Sequence, residues 1–258
     1  MIIGIIPARF ASTRLMGKPL ADICGKPMIQ HTYNSARKSK LLDKVVIAVD
    51  DEKVFQVVKS FGAEAYMTPK DCESGSDRIA LVAEQIPEAT IIVNIQGDEP
   101  FIKGKMIDEA IEPLLFDKKV NLSTLARRIT NVEEMKSPSV VKVVFDYKNF
   151  AMYFSRAPIP FAREAKTNLA RIQIAEIYKH IGLYVYRREI LQKFTTLRQT
   201  DLEQIEKLEQ LRYLEHGYKM KIVLTEYDTF SVDTPKDLEL ARRFYEKHFK
   251  QQDKNSKR

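Results

Sequence analysis

The chain has 258 residues, of which 44% are hydrophobic and 30% charged. This composition is typical of a globular protein and excludes a disordered or fibrous chain. The formal net charge is +7, but residues 247–258 hold five cations against one acidic side chain. The rest of the chain is therefore only mildly basic, whereas a nucleic-acid-binding domain usually carries its charge on a folded face.

Nothing in the sequence indicates export or a membrane anchor. The first ten residues lack the basic segment of a signal peptide, and no apolar run is long enough to cross a bilayer. The two cysteines show neither metal-ligand nor CxxC spacing. We therefore expect a cytoplasmic protein with no membrane and no nucleic-acid partner.

The first half of the chain predicts strands that alternate with helices. Short apolar runs at 2–7, 44–50, 64–67 and 90–95 read as strands, and 27–40, 51–61, 76–86 and 107–116 read as helices. Strands that are apolar on both faces are typical of a parallel sheet covered by helices on both sides.

After residue 120 the pattern changes to strands with longer connections, at 140–145, 150–155, 180–186 and 220–224. Helices are expected at 202–211 and at 235–248, the latter with Thr234 as N-cap and Pro235 in its first turn. We expect an α/β fold with a mixed, largely parallel central sheet and helices on both faces. It forms a single domain over 1–250, with a subdomain at about 120–200 and a disordered basic tail at 251–258.

The segment after the first strand carries three cations, Arg9, Arg14 and Lys18, among small residues. In an open α/β sheet, ligands bind beyond the carboxyl ends of the strands. Small residues let backbone N–H groups approach an anion, and cations supply the opposing charge, so the segment suits a triphosphate. It is neither a Walker A loop nor a GxGxxG fingerprint. The alternative is a solvated basic loop.

Two carboxylates are candidate magnesium ligands. Asp98 follows the strand at 90–95, where its side chain would face the same edge as the basic segment. Magnesium prefers one or two carboxylates together with waters and substrate phosphates. Asp233 would supply the second carboxylate, although it also suits a helix start. Asp98 could likewise belong to an ordinary tight turn.

Four further positions are weaker candidates on spacing alone. Ser74 and Arg78 lie in a segment that could bind a base, or that could merely begin a helix. Arg156 and His180 lie in the second half, where an arginine after a strand is usually at the surface and a lone histidine is usually structural.

Seven segments closely resemble one enzyme family, in the same order and at similar spacing. These segments are 7–19, 73–78, 94–100, 153–160, 180–186, 202–211 and 232–235. The family they resemble is the 3-deoxy-manno-octulosonate cytidylyltransferase (CMP-Kdo synthetase) family. Two departures are visible: Met16 stands where proline is frequent, and Ser76-Asp77-Arg78 stands where Thr-Glu-Arg is common. Neither departure removes a charge from the candidate site.

The resemblance implies an activity and a fold. The expected reaction transfers CMP from CTP to the anomeric hydroxyl of 3-deoxy-manno-octulosonate (Kdo), giving CMP-Kdo and pyrophosphate for lipopolysaccharide synthesis. The expected fold is that of the nucleotide-diphospho-sugar transferases, in a homodimer formed through the second half of the chain. Alternatives are a related synthetase acting on sialate or 8-amino-Kdo, and a non-catalytic basic binding module.

The resemblance also assigns residue roles. Arg9, Arg14 and Lys18 are expected to hold the CTP phosphates, and Asp98 and Asp233 to bind Mg²⁺. The residues expected around the cytidine are Ala8, Ser74, Gly75 and Arg78. The residues expected to contact the sugar are Gln96, Arg156, His180, Tyr184, Glu209 and Gln210.

Overall fold

The computed structural model describes residues 1–11, 14–72 and 74–249. The chain divides into two compact units. The first consists of Met1–Ala89, Asn94–Lys105 and the described part of Thr229–Arg258, and the second of Thr90–Val93 and Met106–Asp228. The tail predicted at 251–258 lies outside the described residues.

The described strands are β1 (Ile2–Ala8), β2 (Asp22–Ile23), β3 (Lys26–Pro27), β4 (Lys44–Val49), β5 (Glu64–Met67), β6 (Ile91–Asn94), β7 (Leu122–Arg128), β8 (Lys142–Phe145), β9 (Ala151–Ser155), β10 (Tyr178–Arg187) and β11 (Lys221–Leu224). The described helices are α1 (Met28–Ala36), α2 (Glu52–Ser60), α3 (Gly75–Glu84), α4 (Gly104–Phe116), α5 (Val132–Lys136), α6 (Asn168–Ile174), α7 (Arg188–Phe194), α8 (Asp201–Glu206), α9 (Gln210–Glu215) and α10 (Pro235–His248), with a 3₁₀ turn at Lys18–Leu20. Among these described helices, none is both long and apolar enough to cross a membrane.

The first unit is built on parallel strands. β1 pairs with β4, and β4 pairs with β5, all in parallel register. Ile5 and Ile47, on β1 and β4, have no exposed area, as expected for strands that are covered on both faces. The carboxyl ends of β1 and β4 therefore lie side by side, which places the segments that follow them at one edge.

Helix α10 closes the first unit. Thr234 caps it in a capping box with Asp237, and Pro235 occupies its first turn, which satisfies otherwise unpaired backbone donors. Its inner face packs Leu238 and Tyr245 into a cluster with Met28 and Phe101. This packing holds the chain that precedes α10 against the residues that follow β6.

The second unit has mixed pairing. β10 runs antiparallel to both β7 and β8, β8 pairs antiparallel with β9, and β11 is parallel to β7. A smaller apolar cluster of Ile129, Met135, Ile172 and Ile177 packs helices α5 and α6 onto this unit.

One predicted helix is wrong in a way that matters for the site. The apolar pattern at 202–211 predicts one helix, but the chain forms α8 and α9 with a break at Lys207. Lys207 adopts a left-handed conformation with φ 54°, and its N–H donates to the carbonyl of Glu203. At this break, the carbonyls of Glu206 and Lys207 accept hydrogen bonds from the side chain of Arg156.

Candidate active site

The first loop is anchored by a buried ion pair. Asp50, at the end of β4, accepts a hydrogen bond from the backbone N–H of Phe10 at 2.9 Å. Its other oxygen lies 3.0 Å from Nη2 of Arg78, and Arg78 also donates to the hydroxyl of Thr68. The Arg78 side chain has no exposed area. The structure thus places Arg78 behind the loop, where it acts on the loop through Asp50.

Arg9 reaches across to the segment that precedes α3. Its Nη2 donates to the carbonyl of Cys72 at 3.0 Å, and the neighbouring Ala8 is buried. The first cation of the loop therefore lies beside the start of α3, where Ser74 and Gly75 are found.

Ser74 caps helix α3. Its hydroxyl accepts from the N–H of Asp77, and the Asp77 carboxylate accepts in return from Ser74 N at 2.9 Å. Gly75 begins the helix, and no atom lies within 4 Å of where a Cβ would be. The open space beside Gly75 leaves room for a flat ligand against the backbone.

Lys18 and Arg14 form a cluster of ion pairs with two carboxylates, those of Asp98 and Asp233. Its Nζ lies 2.5 Å from Oδ2 of Asp98 and 2.7 Å from Oδ1 of Asp233. Arg14 donates to the same Asp233 oxygen at 3.0 Å. Burial alone would lower the pKa of Lys18, but the two carboxylates outweigh it and raise the pKa, so the ammonium is charged at neutral pH.

The backbone brings these carboxylates together. The N–H of Val232 donates to the carbonyl of Asp98 at 2.9 Å, which ties the chain before α10 to the turn after β6. That turn is packed closely, because a Cβ at Gly97 would lie 2.5 Å from the carbonyl oxygen of Pro7. Gln96, in the same turn, donates to Asn94 at 3.2 Å.

The donor set of Asp98 and Asp233 suits a magnesium ion. Both carboxylates contact one ammonium, so both can approach one cation, and hard oxygen ligands are what Mg²⁺ takes. No group of three or more His, Cys, Asp or Glu side chains is arranged around a metal position in the described part of the chain. A cation held by these two carboxylates would therefore need oxygens from water and substrate.

In the second unit, Arg156 follows β9 and is held by main-chain carbonyls. Its Nε donates to the carbonyl of Glu206 at 2.7 Å, its Nη1 to that of Pro138 at 2.9 Å, and its Nη2 to that of Lys207 at 3.2 Å. The guanidinium is thus fixed by neutral acceptors, and its charge remains available.

His180 and Tyr184 lie together on β10. The His180 ring lies 5.4 Å from that of Tyr184 and 4.9 Å from that of Phe154, between ring centroids. Burial lowers the pKa of His180 to about 3, so the ring is neutral. Its Nε2 lies 2.9 Å from the hydroxyl of Thr124. The same hydroxyl lies within hydrogen-bond distance of the carbonyls of Ile181 and Leu183.

The remaining predicted sugar residues flank this pair. The Tyr184 hydroxyl donates to Oε1 of Gln210 at 3.1 Å, and burial raises the pKa of Tyr184 well above its ordinary value. Gln210 is buried at the start of α9, and Glu209 beside it is exposed. Arg156, His180, Tyr184 and Gln210 therefore present one charged group, two neutral protic groups and one amide within a single unit.

Sequence reasoning missed two carboxylates. Asp50 ends an apolar strand, and the rule that applied to Asp98 would also have found it. Glu206 had no such signal, because it lies in a short helix whose break at Lys207 has no glycine to mark it.

Comparison with known proteins identifies the family. The family model described as cytidylyltransferase matches residues 3–222. Relatives from Geotalea uraniireducens and Geobacter sulfurreducens, both named 3-deoxy-manno-octulosonate cytidylyltransferase, are each 50% identical over 242 residues, which is 92% of this chain and 96% of theirs.

Solved structures agree with this relationship. A CMP:2-keto-3-deoxy-manno-octonic acid synthetase, solved in complex with CTP, is 40% identical with a TM-score of 0.89, over 96% of this chain and 99% of that one. A 4-diphosphocytidyl-2C-methyl-D-erythritol synthase from Anaerococcus prevotii, at 14% identity, has a TM-score of 0.61 over 95% of this chain and 96% of its own, and shows the fold alone.

These matches confirm the predicted fold class, a mixed and largely parallel sheet with helices, and the predicted family. The non-catalytic binding module is thereby set aside. The chain belongs to the cytidylyltransferase family, with 3-deoxy-manno-octulosonate cytidylyltransferases among its relatives, and is a nucleotidyltransferase.

Proposed function

We propose that the chain transfers CMP from CTP to the anomeric hydroxyl of Kdo, giving CMP-Kdo and pyrophosphate. The observation that carries the proposal is the convergence of Arg14, Lys18, Asp98 and Asp233 at one point of the first unit. Such a set can neutralise a triphosphate and accept a cation at the same point. The relatives' names supply the base and the sugar.

The reaction is a direct in-line displacement. The anomeric oxygen forms a bond to the α-phosphorus, the bond from that phosphorus to the bridging oxygen of the β-phosphate breaks, and the hydroxyl proton passes to solvent. No protein nucleophile is needed, because phosphoryl-type transfer is catalysed mainly by positioning and charge neutralisation.

The residues of the first unit have different proposed roles in binding CTP. Arg9, Arg14 and Lys18 bind the phosphates and steady the leaving pyrophosphate, while Ser74 and Gly75 receive the cytidine. Arg78 contributes through Asp50, which holds the loop at Phe10.

Mg²⁺ is the proposed cofactor, held by Asp98 and Asp233. When bound, it would polarise the phosphate as a Lewis acid. The residues of the chain supply everything else in the reaction: they bind the nucleotide, orient it and neutralise its charge.

In the second unit, Arg156 binds the sugar carboxylate. His180, Tyr184, Glu209 and Gln210 contact its hydroxyl groups, and the resemblance assigns Gln96 to the sugar as well. A neutral imidazole and a protonated phenol are hydrogen-bonding groups that keep the same protonation state across the neutral range. We further propose that the protein acts in the cytoplasm as a homodimer.

The test is release of pyrophosphate with CTP, Mg²⁺ and Kdo. We expect release only when all three are present, and none with UTP in place of CTP or with EDTA. Release with sialate or 8-amino-Kdo instead of Kdo would be consistent with the proposed metal site but would overturn the assignment of Arg156 and His180 to Kdo. Failure with every pair would overturn the proposed reaction.

A further inference from the structure

Glu206, at the last position of α8, is the centre of a cluster around Arg156 that the resemblance does not assign. Its Oε1 accepts from the hydroxyl of Ser155 at 2.6 Å and from that of Tyr153 at 3.4 Å. Its Oε2 accepts from the backbone N–H of Arg156 at 2.9 Å. The carboxylate therefore holds Tyr153 and Ser155 of β9 and Arg156 directly after the strand.

The same residue also holds the side chain of Arg156. The main-chain carbonyl of Glu206 accepts from Nε of Arg156 at 2.7 Å, and the carbonyl of Lys207 accepts from Nη2. Both carbonyls are available because the chain turns into the left-handed region at Lys207, with φ 54°. The carboxylate of Glu206 thus holds the backbone of Arg156, and its main-chain carbonyl holds the guanidinium. Loss of the carboxylate would release the backbone of Arg156 and so shift the guanidinium relative to that carbonyl.

The main chain of Arg156 is held from the opposite side as well. Lys142, with no exposed area, donates from Nζ to the carbonyl of Arg156 at 2.6 Å. It also donates to the carbonyls of Ser137 and Val140. The backbone of Arg156 is therefore bound at both its N–H and its carbonyl.

The way in which Arg156 is held leaves it suited to an anion. A guanidinium has five N–H donors, and three of them are used on carbonyls. Two donors remain, which is the number that a bidentate carboxylate accepts. The three described bonds of the guanidinium all go to neutral carbonyls, and the Glu206 carboxylate reaches the backbone N–H of Arg156 rather than its guanidinium.

The Glu206 carboxyl is ionised while it accepts these hydrogen bonds. Burial would raise the pKa of its carboxyl, but hydrogen bonds from Ser155 and from the N–H of Arg156 outweigh that effect and lower the pKa. The anion therefore persists at neutral pH, where the acceptor capacity of both oxygens is needed.

We propose that Glu206 is a positioning residue that presets the Arg156 guanidinium to bind the carboxylate of the acidic sugar. The role rests on the proposed function for the identity of the sugar, but not for the geometry. An arginine free in solution loses rotamer freedom when it binds an anion. Here the rotamer freedom of Arg156 is already lost when the protein folds. Binding of the sugar carboxylate therefore does not have to offset that entropy loss.

The first experiment compares Glu206→Ala and Glu206→Gln with the wild type in steady-state kinetics. We expect Glu206→Ala to raise the KM for Kdo by about 10- to 100-fold, because a misplaced binding group loses about that factor. The KM for CTP stays unchanged. Glu206→Gln keeps one carbonyl oxygen for the N–H of Arg156, so its KM for Kdo should lie between those of the wild type and Glu206→Ala. Gln204→Ala, on the exposed side of the same helix, serves as the control and behaves as wild type.

A second readout does not depend on turnover. With arginine labelled by ¹⁵N, the Nε–H signal assigned through Arg156→Lys should exchange slowly in the wild type. It should exchange rapidly in Glu206→Ala while the thermal transition stays cooperative. If the wild type releases no pyrophosphate with Kdo, the proposed function fails, and this signal alone decides the positioning role. An unaltered signal, or a KM that rises equally for CTP and Kdo, overturns the proposal.

Discussion

At the scale of single residues, the chemistry of a side chain is set by its neighbours. Arg78 and Arg156 are both arginines that follow from the family pattern, yet Arg78 has no exposed area and pairs with Asp50. In the described part of the chain, the Arg156 guanidinium instead donates to three neutral carbonyls. The first arginine stabilises a loop, and the second is the one we propose to bind a ligand. Residue type alone does not separate these two roles.

The role of Asp98 is open to a direct test. Asp98→Ala removes one of the two carboxylates on Lys18 and one proposed ligand of Mg²⁺. Because one electrostatic contact to the reacting group is worth about 2.7–4 kcal/mol, we expect kcat to fall by about 10²–10³-fold. The measurement is pyrophosphate release under saturating CTP and Kdo. Glu84→Ala, on the exposed side of α3, is the control, and a kcat for Asp98→Ala close to that of the control would refute the assignment.

At the scale of elements, the regular helices and buried strands follow from sequence. β1, β4 and α10 lie within a residue or two of the predicted ranges, because their apolar runs and caps are local signals. β7 (Leu122–Arg128) was not predicted, since Ser123, Thr124 and two arginines interrupt its apolar pattern. Its hydroxyls are satisfied by partners distant in the chain, such as Ala110 for Ser123, and no local signal reports that.

Glycine at the start of α4 is expected to be essential for packing. A Cβ at Gly104 would lie 2.3 Å from the carbonyl carbon of Lys38 and 2.4 Å from the nitrogen of Ser39. These are backbone atoms that cannot rotate away. Gly104→Ala should therefore lower the free energy of unfolding by about 1–3 kcal/mol, or more if the contact cannot relax. Urea denaturation gives the value.

Gly75→Ala is the matched control, because nothing lies within 4 Å of its Cβ position in the first turn of α3. It should leave stability unchanged or raise it by up to about 1 kcal/mol, since alanine is the better helix former. Equal destabilisation of the two variants would show that the contact at Gly104 does not decide the outcome.

At the scale of the whole molecule, several large apolar side chains are left exposed in the second unit. Phe161, Leu169, Ile174 and Ile205 are each at least 60% exposed, and the guanidinium of Arg171 lies 4.9 Å from the centroid of the Phe161 ring. Phe161, Leu169 and Ile174 lie within 14 residues of one another in the chain, and exposed apolar side chains that group together are typical of an interface. They support the proposed homodimer.

The dimer is tested by light scattering. We expect a mass of two chains for the wild type and of one chain for a variant carrying both Phe161→Ser and Ile174→Ser. Each substitution removes apolar area that association would bury. Phe116→Ser, at an equally exposed phenylalanine outside this stretch, is the comparison and should remain dimeric. A wild-type protein of one-chain mass would contradict the proposal.

The candidate site could be predicted from the sequence in part. The pairing of Lys18 with Asp98 joins residues 80 apart in the chain, but both follow apolar strands, so the rule for carboxyl ends of strands brings them together. Asp233 follows no strand; it reaches the cluster through the bond between Val232 and Asp98. The position of Glu206 depends on the left-handed conformation of Lys207, and no sequence pattern indicates that a lysine adopts this conformation.

The ion cluster at Lys18 has a consequence for selectivity. Arg14 and Lys18 carry two positive charges, and Asp98 and Asp233 carry two negative ones, so together the four side chains are neutral. A simple anion that pulls the cations away leaves two uncompensated carboxylates behind. A polyphosphate that arrives with its own divalent cation replaces both sets of partners at once, and each component raises the affinity for the other by the same factor. For the proposed reaction, we therefore expect the cluster to favour a nucleotide complexed with a divalent cation over a free anion.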